Sequence, residues 1–292
     1  MKINIPIFVC SYLLQLSICF WVQGEPPSEG PVSIVRPLWK DGAPGGGEPT
    51  ITIHFPSPDT ANGSVAVVCP GGSYAGLASY EGDPVAKWLN SLGVAGAVLT
   101  YRHQGTGFGH PFPLQDIQRA LRILRFQAER RKWDPMRIGA VGFSAGGHLC
   151  STAGTHFDRG DPKADDIIDR ESCRPDFLIL IYASITLDEK FAHPRTKRNL
   201  LGGDPDPALV EYLSNDRHVT DRTPPTFLVH ALDDSKVPVE HSVLFYMALR
   251  TANVPAEMHL FERGGHGGGL KHNSWPELAI PWMRIHGLLP SP

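Results

Sequence analysis

The stretch Arg137-Ile-Gly-Ala-Val-Gly-Phe-Ser-Ala-Gly-Gly147 constrains the fold of this chain more than any other part of it. A short apolar run reads as a buried strand. It is followed at once by Gly142-Phe-Ser-Ala-Gly146 and then by a helix-like segment from Ala145 to Ala153. A G-x-S-x-G sequence in that context is a tight strand-to-helix turn. Its glycines remove Cβ atoms that would collide where the backbone doubles back, and the serine hydroxyl is left standing at the tip. Ser144 is therefore the candidate nucleophile.

Further apolar runs lie on both sides of this turn. Val65–Cys69, Ala95–Tyr101, Phe177–Tyr182 and Thr226–His230 have the continuous hydrophobicity of strands covered on both faces, whereas 50–55 alternates like an outer strand. Ala256–Phe261 is the last strand. Helical spacing is read over Pro84–Leu92, Leu114–Trp133 and Val239–Ala252. Alternating strands and helices predict an α/β fold, a mostly parallel central sheet with helices on both faces. Ligands in such sheets collect at the carboxyl ends of the strands. The arginines of Leu114–Trp133 (Arg119, Arg122, Arg125, Arg130, Arg131) read as a solvated face. Segments 156–175 and 186–222 are polar and irregular, and are expected to form a cap or rim over the site.

At 292 residues, 41% of them hydrophobic and 20% charged, the chain has material for one large domain, placed at 51–288 after an N-terminal tail at 25–50. A net charge of −3 gives no basic field, which argues against nucleic acid as a partner. Residues 1–24 carry Lys2, an apolar run to Val22 and a small residue before a polar stretch, the pattern of a secretory signal peptide. The expected location is secreted or periplasmic, with no membrane partner after cleavage. A retained anchor and a lipoprotein signal ending at Cys19 are the rival readings. Cys69, Cys150 and Cys173 read as buried free thiols. No Cys/His spacing suggests a metal site, and no cofactor is expected.

A serine hydroxyl needs an imidazole to take its proton, and the imidazole needs a carboxylate to fix its tautomer. Downstream of Ser144, Asp234 lies in the turn after the 226–230 strand, with Asp233 as the alternative. His266 sits in the glycine-rich loop after the last strand, with His272 as a substitute. His148, His230 and His259 read as structural. The oxyanion of an acyl-transfer reaction also needs amide donors. Ala145 offers one, and the loop Pro70-Gly-Gly-Ser-Tyr74 offers Gly72 and Ser73.

With these residues in view, the chain resembles the α/β-hydrolases over residues 51–286. Within them it looks like the acetyl-xylan/feruloyl esterase-like group related to hormone-sensitive-lipase-type esterases. The resemblance rests on Cys69-Pro-Gly-Gly-Ser-Tyr74, Leu99-Thr-Tyr-Arg-His103, Pro113-Leu-Gln-Asp-Ile-Gln-Arg-Ala120, Asp134-Pro-Met-Arg-Ile-Gly139, Gly142-Phe-Ser-Ala-Gly-Gly-His148 and Gly264-Gly-His-Gly267. It implies cofactor-free ester hydrolysis with Ser144, Asp234 and His266 as nucleophile, acid and base. Pro70 and Ser73 depart from a lipase-type His-Gly-Gly-Gly loop. The expected substrate is a small ester or an acylated carbohydrate, with Trp39, Tyr74 and Tyr101 as sugar-stacking faces. A serine peptidase of the prolyl-oligopeptidase type and a non-catalytic binding module are the alternatives, the first disfavoured by the lack of a large additional domain.

Overall fold

The computed structural model describes residues 33–291. Segment 1–24, read above as a signal peptide, lies outside the described residues. Eight strands form one sheet: β1 (Ser33–Pro37), β2 (Thr50–His54), β3 (Val65–Cys69), β4 (Ala95–Thr100), β5 (Ile138–Phe143), β6 (Leu178–Ile181), β7 (Thr226–Ala231) and β8 (Ala256–Phe261). Their spatial order is β1-β2-β4-β3-β5-β6-β7-β8. The β1–β2 and β2–β4 pairs are antiparallel and every other pair is parallel. The helices are α1 (Asp83–Ser91), α2 (Phe112–Phe126), α3 (Ala128–Arg131), α4 (Ala145–Thr155), α5 (Pro194–Leu201), α6 (Pro207–Tyr212), α7 (Glu240–Thr251) and α8 (Trp275–Ile285). They cover both faces, and this is the expected α/β-hydrolase fold.

The five residues of β3 and the six of β5 are all buried, as their unbroken hydrophobicity predicts. One core lies between the sheet and α2, α4 and α7, built on residues such as Ile117, Leu121, Leu149 and Phe245. The other lies under α1 and α8, where Trp275 and Trp282 are fully or almost fully buried. β5 is central in the sheet, so whatever follows its carboxyl end is held from both sides.

Several expectations are corrected. The sheet begins inside the segment read as a tail, because β1 pairs with β2 from Ser33↔His54 to Pro37↔Thr50. The long helix is broken at Gln127 into α2 and α3. The arginine face of α2 is not solvated. Arg119 is buried, donates to the Leu38 carbonyl and pairs with Asp169 at 2.8 Å and with Asp166. Arg122 pairs with Asp158, and Arg125 with Asp176 at 2.8 Å. These contacts clamp segment 156–175 against α2. Asp176 N donates to the Ile138 carbonyl, so that segment ends at the start of β5, opposite the end that carries Ser144. It does not rim the site. Segment 186–222 does reach it, since Asn199 of α5 donates to the Ser73 carbonyl at 2.7 Å. Cys69, Cys150 and Cys173 are free and buried.

Candidate active site

Ser144 stands between β5 and α4 with φ 51° and ψ −118°. A positive φ is strained for a residue with a Cβ and persists only where its surroundings fix it. Here the Ser144 N–H donates to the Ile181 carbonyl at 3.1 Å, and its carbonyl accepts from Ser184 at 3.0 Å. The adjacent Gly146 packs so closely on β3 that an added Cβ would lie 2.0 Å from the Cys69 carbonyl oxygen. Glycine there is a requirement of close approach.

The structure brings the three predicted side chains together from separate loops. His266 Nε2 lies 2.9 Å from Ser144 Oγ, and His266 Nδ1 lies 2.7 Å from Asp234 Oδ2. Burial opposes ionisation of Asp234, but hydrogen bonds from His230, His266 and the Val237 N–H outweigh it and hold the carboxyl well below the usual carboxylate range. An ionised Asp234 only accepts, so Nδ1 of His266 carries the proton and Nε2 offers its lone pair to the serine hydroxyl. The other Asp234 oxygen accepts from Lys236 N and Val237 N, both at 2.9 Å. Asp233 is exposed and accepts from the Gly265 N–H at 2.7 Å, which tethers the histidine loop and leaves the acid position to Asp234. His272 is buried against Tyr182, with ring centroids 4.6 Å apart, and no hydrogen bond joins it to Ser144.

The loop after β3 is aimed by its own carbonyls. The Gly71 carbonyl accepts from Ala78 N, the Gly72 carbonyl from Ala75 N and the Ser73 carbonyl from Asn199. A trans peptide carries its N–H on the edge opposite its C=O. Fixing the first two carbonyls therefore turns the Gly72 and Ser73 amides the other way, and among the described residues neither amide has a partner. Gly71 itself is pressed against the nucleophile, as an added Cβ would lie 2.9 Å from Ser144 Cβ. Ala145 is the first residue of α4, where a helix leaves its N–H unpaired. The three amides expected to bind an oxyanion thus belong to the two segments that adjoin Ser144, the loop after β3 and the start of α4.

Other predicted roles are corrected. Tyr74 and Tyr101 are buried with their rings 5.9 Å apart, so neither presents a face to a sugar. Tyr101 donates to the Pro70 carbonyl at 2.7 Å. Trp39 packs under Arg102 and Arg119. His148 is structural, as expected: its Nε2 faces the Leu213 carbonyl at 2.9 Å, so Nδ1 accepts from the Tyr74 hydroxyl at 3.0 Å. His259 is half-buried beside Glu257 at 2.7 Å, also away from the reacting groups.

Sequence reasoning missed three contributors. His230 is buried and brings Nε2 to 3.2 Å from Asp234 Oδ2, so it supports the acid directly. Its place four residues before Asp234 was the available signal. Tyr182 packs against His266 with the rings tilted by 59° and their centroids 5.0 Å apart. Glu81 is buried beside the Gly71 loop, although its setting in Tyr80-Glu-Gly-Asp reads as a surface turn.

A comparison with protein families matches the one described as BD-FAE over residues 51–249, more than half of the chain. The chain belongs to the BD-FAE family. A 42% identical solved relative, an acetyl ester-xyloside bifunctional hydrolase from Caldicellulosiruptor lactoaceticus, superposes with a TM-score of 0.84 over 90% of this chain and 100% of its own. Curated relatives of this BD-FAE chain include an endo-1,4-beta-xylanase B of Butyrivibrio fibrisolvens, 38% identical over 69% of the chain and 32% of the relative. An acetylxylan esterase of Xylanibacter ruminicola is 33% identical over 73% of the chain and 42% of the relative. The chain thus spans less than half the length of these curated relatives. The carboxylesterase Cest-2923 of Lactobacillus plantarum, 24% identical with a TM-score of 0.74 over 89% of this chain and 100% of its own, shares the fold.

Proposed function

We propose that this BD-FAE chain is a serine esterase that removes acetyl or other short acyl groups from carbohydrate. The observation that carries this reading is the continuous relay from Ser144 Oγ through His266 to Asp234, beside unpartnered amides. The xylan-related names of its relatives support the choice of substrate class.

In this reading Ser144 Oγ attacks the ester carbonyl as its proton passes to His266 Nε2. The carbonyl oxygen becomes an oxyanion held by the amides of Gly72, Ser73 and Ala145. Losing one such donor typically costs about 3 kcal/mol of transition-state stabilisation. Collapse of the intermediate breaks the bond to the alcohol, which leaves with the proton from Nε2. Water then attacks the acyl-serine, giving its proton to His266, and Ser144 regains a proton as the carboxylic acid departs. Asp234 offsets the imidazolium charge in both halves. Export is part of the same reading, supported by the secretory-signal pattern of residues 1–24.

The test is hydrolysis of p-nitrophenyl acetate and acetate release from acetylated xylan by the purified chain and by Ser144→Ala. Turnover of both substrates, abolished in the variant, is expected. A folded chain that cleaves neither contradicts the proposal, and cleavage of the small ester alone removes its carbohydrate part.

A further inference from the structure

Glu81 is a buried carboxylate with no role in the relay described above. Asp116, which is equally hidden, is neutralised by Arg102 at 2.7 Å. Glu81 makes no ion pair with a Lys or Arg among the described residues, and a buried acid without such a partner is costly to keep. Its two oxygens instead reach opposite walls of the site. Oε2 accepts the Gly71 N–H at 2.7 Å. Oε1 accepts the Tyr182 hydroxyl proton at 2.8 Å, and that hydroxyl in turn accepts the Gly269 N–H at 3.0 Å. Gly71 precedes the two unpartnered amides, and Gly269 closes the glycine loop that carries His266. The chain Gly71–Glu81–Tyr182–Gly269 therefore spans from the oxyanion loop to the histidine loop, passing under Ser144 by way of the Gly71 contact.

Both loops need such a clamp. Gly264, Gly265, Gly267, Gly268 and Gly269 all have positive φ, and so do Gly72, Ser73 and Tyr74. Glycine-rich backbone loses much freedom on ordering and does not hold a histidine in register by itself. A Gln could keep the Gly71 contact through its carbonyl oxygen and turn an amide N–H toward the Tyr182 oxygen. It could not accept the Tyr182 proton and would lack the negative charge. Burial raises the Glu81 pKa, while the Gly71 N–H, Tyr182, His266 and Tyr80 all favour its anion.

We propose that Glu81 is a positioning residue which, through Tyr182, locks the loop of oxyanion amides to the loop of His266, so that the two halves of the site keep register during acyl transfer. This rests on the esterase reading, and it makes turnover depend on two side chains outside the relay, Glu81 and Tyr182.

The test is kcat and KM on p-nitrophenyl acetate for the full chain, Glu81→Ala, Glu81→Gln and Tyr182→Phe, each normalised to sites titrated by a fluorophosphonate. Displacement of reacting groups by about 1 Å typically costs about a hundredfold. The expected result is a kcat loss of that order in Glu81→Ala, about tenfold in Tyr182→Phe, and KM within threefold in both. Glu81→Gln recovers most of the loss because it still accepts from Gly71. Unchanged kcat per titrated site in Glu81→Ala, or a rise in KM with kcat intact, overturns the proposal. If Glu81→Ala does not fold, Tyr182→Phe decides alone, and a kcat within twofold of the parent overturns it. An untitratable parent chain instead defeats the esterase reading, so the two failures are distinct.

Discussion

Two polar, irregular segments look alike in the sequence and end up at opposite ends of the sheet. Segment 156–175 follows α4 and leads into β6, whereas 186–222 follows β6 and leads into β7. In a parallel sheet the first kind of connection must run at the amino ends of the strands and the second at the carboxyl ends, where Ser144 lies. The first segment is accordingly stitched to α2 by Arg119, Arg122 and Arg125. The second sends Asn199 to the loop after β3. Composition says that both are loops, but only their order relative to the strands says which one can reach a substrate.

The contrast predicts that substitutions at the two ends separate rate from stability. The largest effect is expected at the carboxyl end. Asp234→Asn leaves His266 with the wrong tautomer and is expected to lower kcat by about ten-thousand-fold, with the fold retained by circular dichroism. A loss below tenfold would remove Asp234 from the relay.

At the other end, Arg119→Ala removes a buried guanidinium that serves the Leu38 carbonyl, Asp166 and Asp169. Urea titration is expected to show a loss of about 2 kcal/mol, while kcat stays within twofold. A parallel fall in kcat would mean that the two ends are coupled.

The parts of the fold that were legible were those whose residues are used on both sides. The all-buried β3 and β5 and the G-x-S-x-G turn read correctly because unbroken hydrophobicity and close glycine packing leave few alternatives. Asp234 and His266 were found because a serine needs partners placed after later strands. The edge strand β1 escaped notice because its burial alternates between exposed and intermediate. The arginine face of α2 was misread because charge predicts solvent unless the partners are known, and Asp158, Asp166, Asp169 and Asp176 lie 36 to 51 residues away. Tyr182 and Glu81 act through contacts 101 residues apart, which no local pattern announces.

A comparable effect on stability should be read through pH. Burial lowers the His148 pKa to about 4, so the folded state keeps it neutral while the unfolded chain binds a proton below about 6.5. Stability from this residue is complete above that value and falls as pH drops toward 4. Between pH 7 and 5 the loss is about 2 kcal/mol. Burial lowers His156 and His272 to about 4 and His241 to about 3, adding in the same direction. His148→Gln is expected to shrink the acid-induced drop in melting temperature, and an unchanged drop would exclude His148 as a source.

The smallest effect is expected at Ser73, where φ is 54°. Ser73→Gly keeps the amide and relieves the backbone, so kcat should remain within threefold. A tenfold loss would assign the work to the hydroxyl instead.

The account rests on Ser144 being the group that His266 activates. Reaction of the folded chain with a fluorophosphonate, followed by peptide mass mapping, tests this most directly. One adduct on Ser144, lost in His266→Ala, is the predicted result. A folded chain that stays unlabelled, or that carries the adduct on another residue, contradicts it.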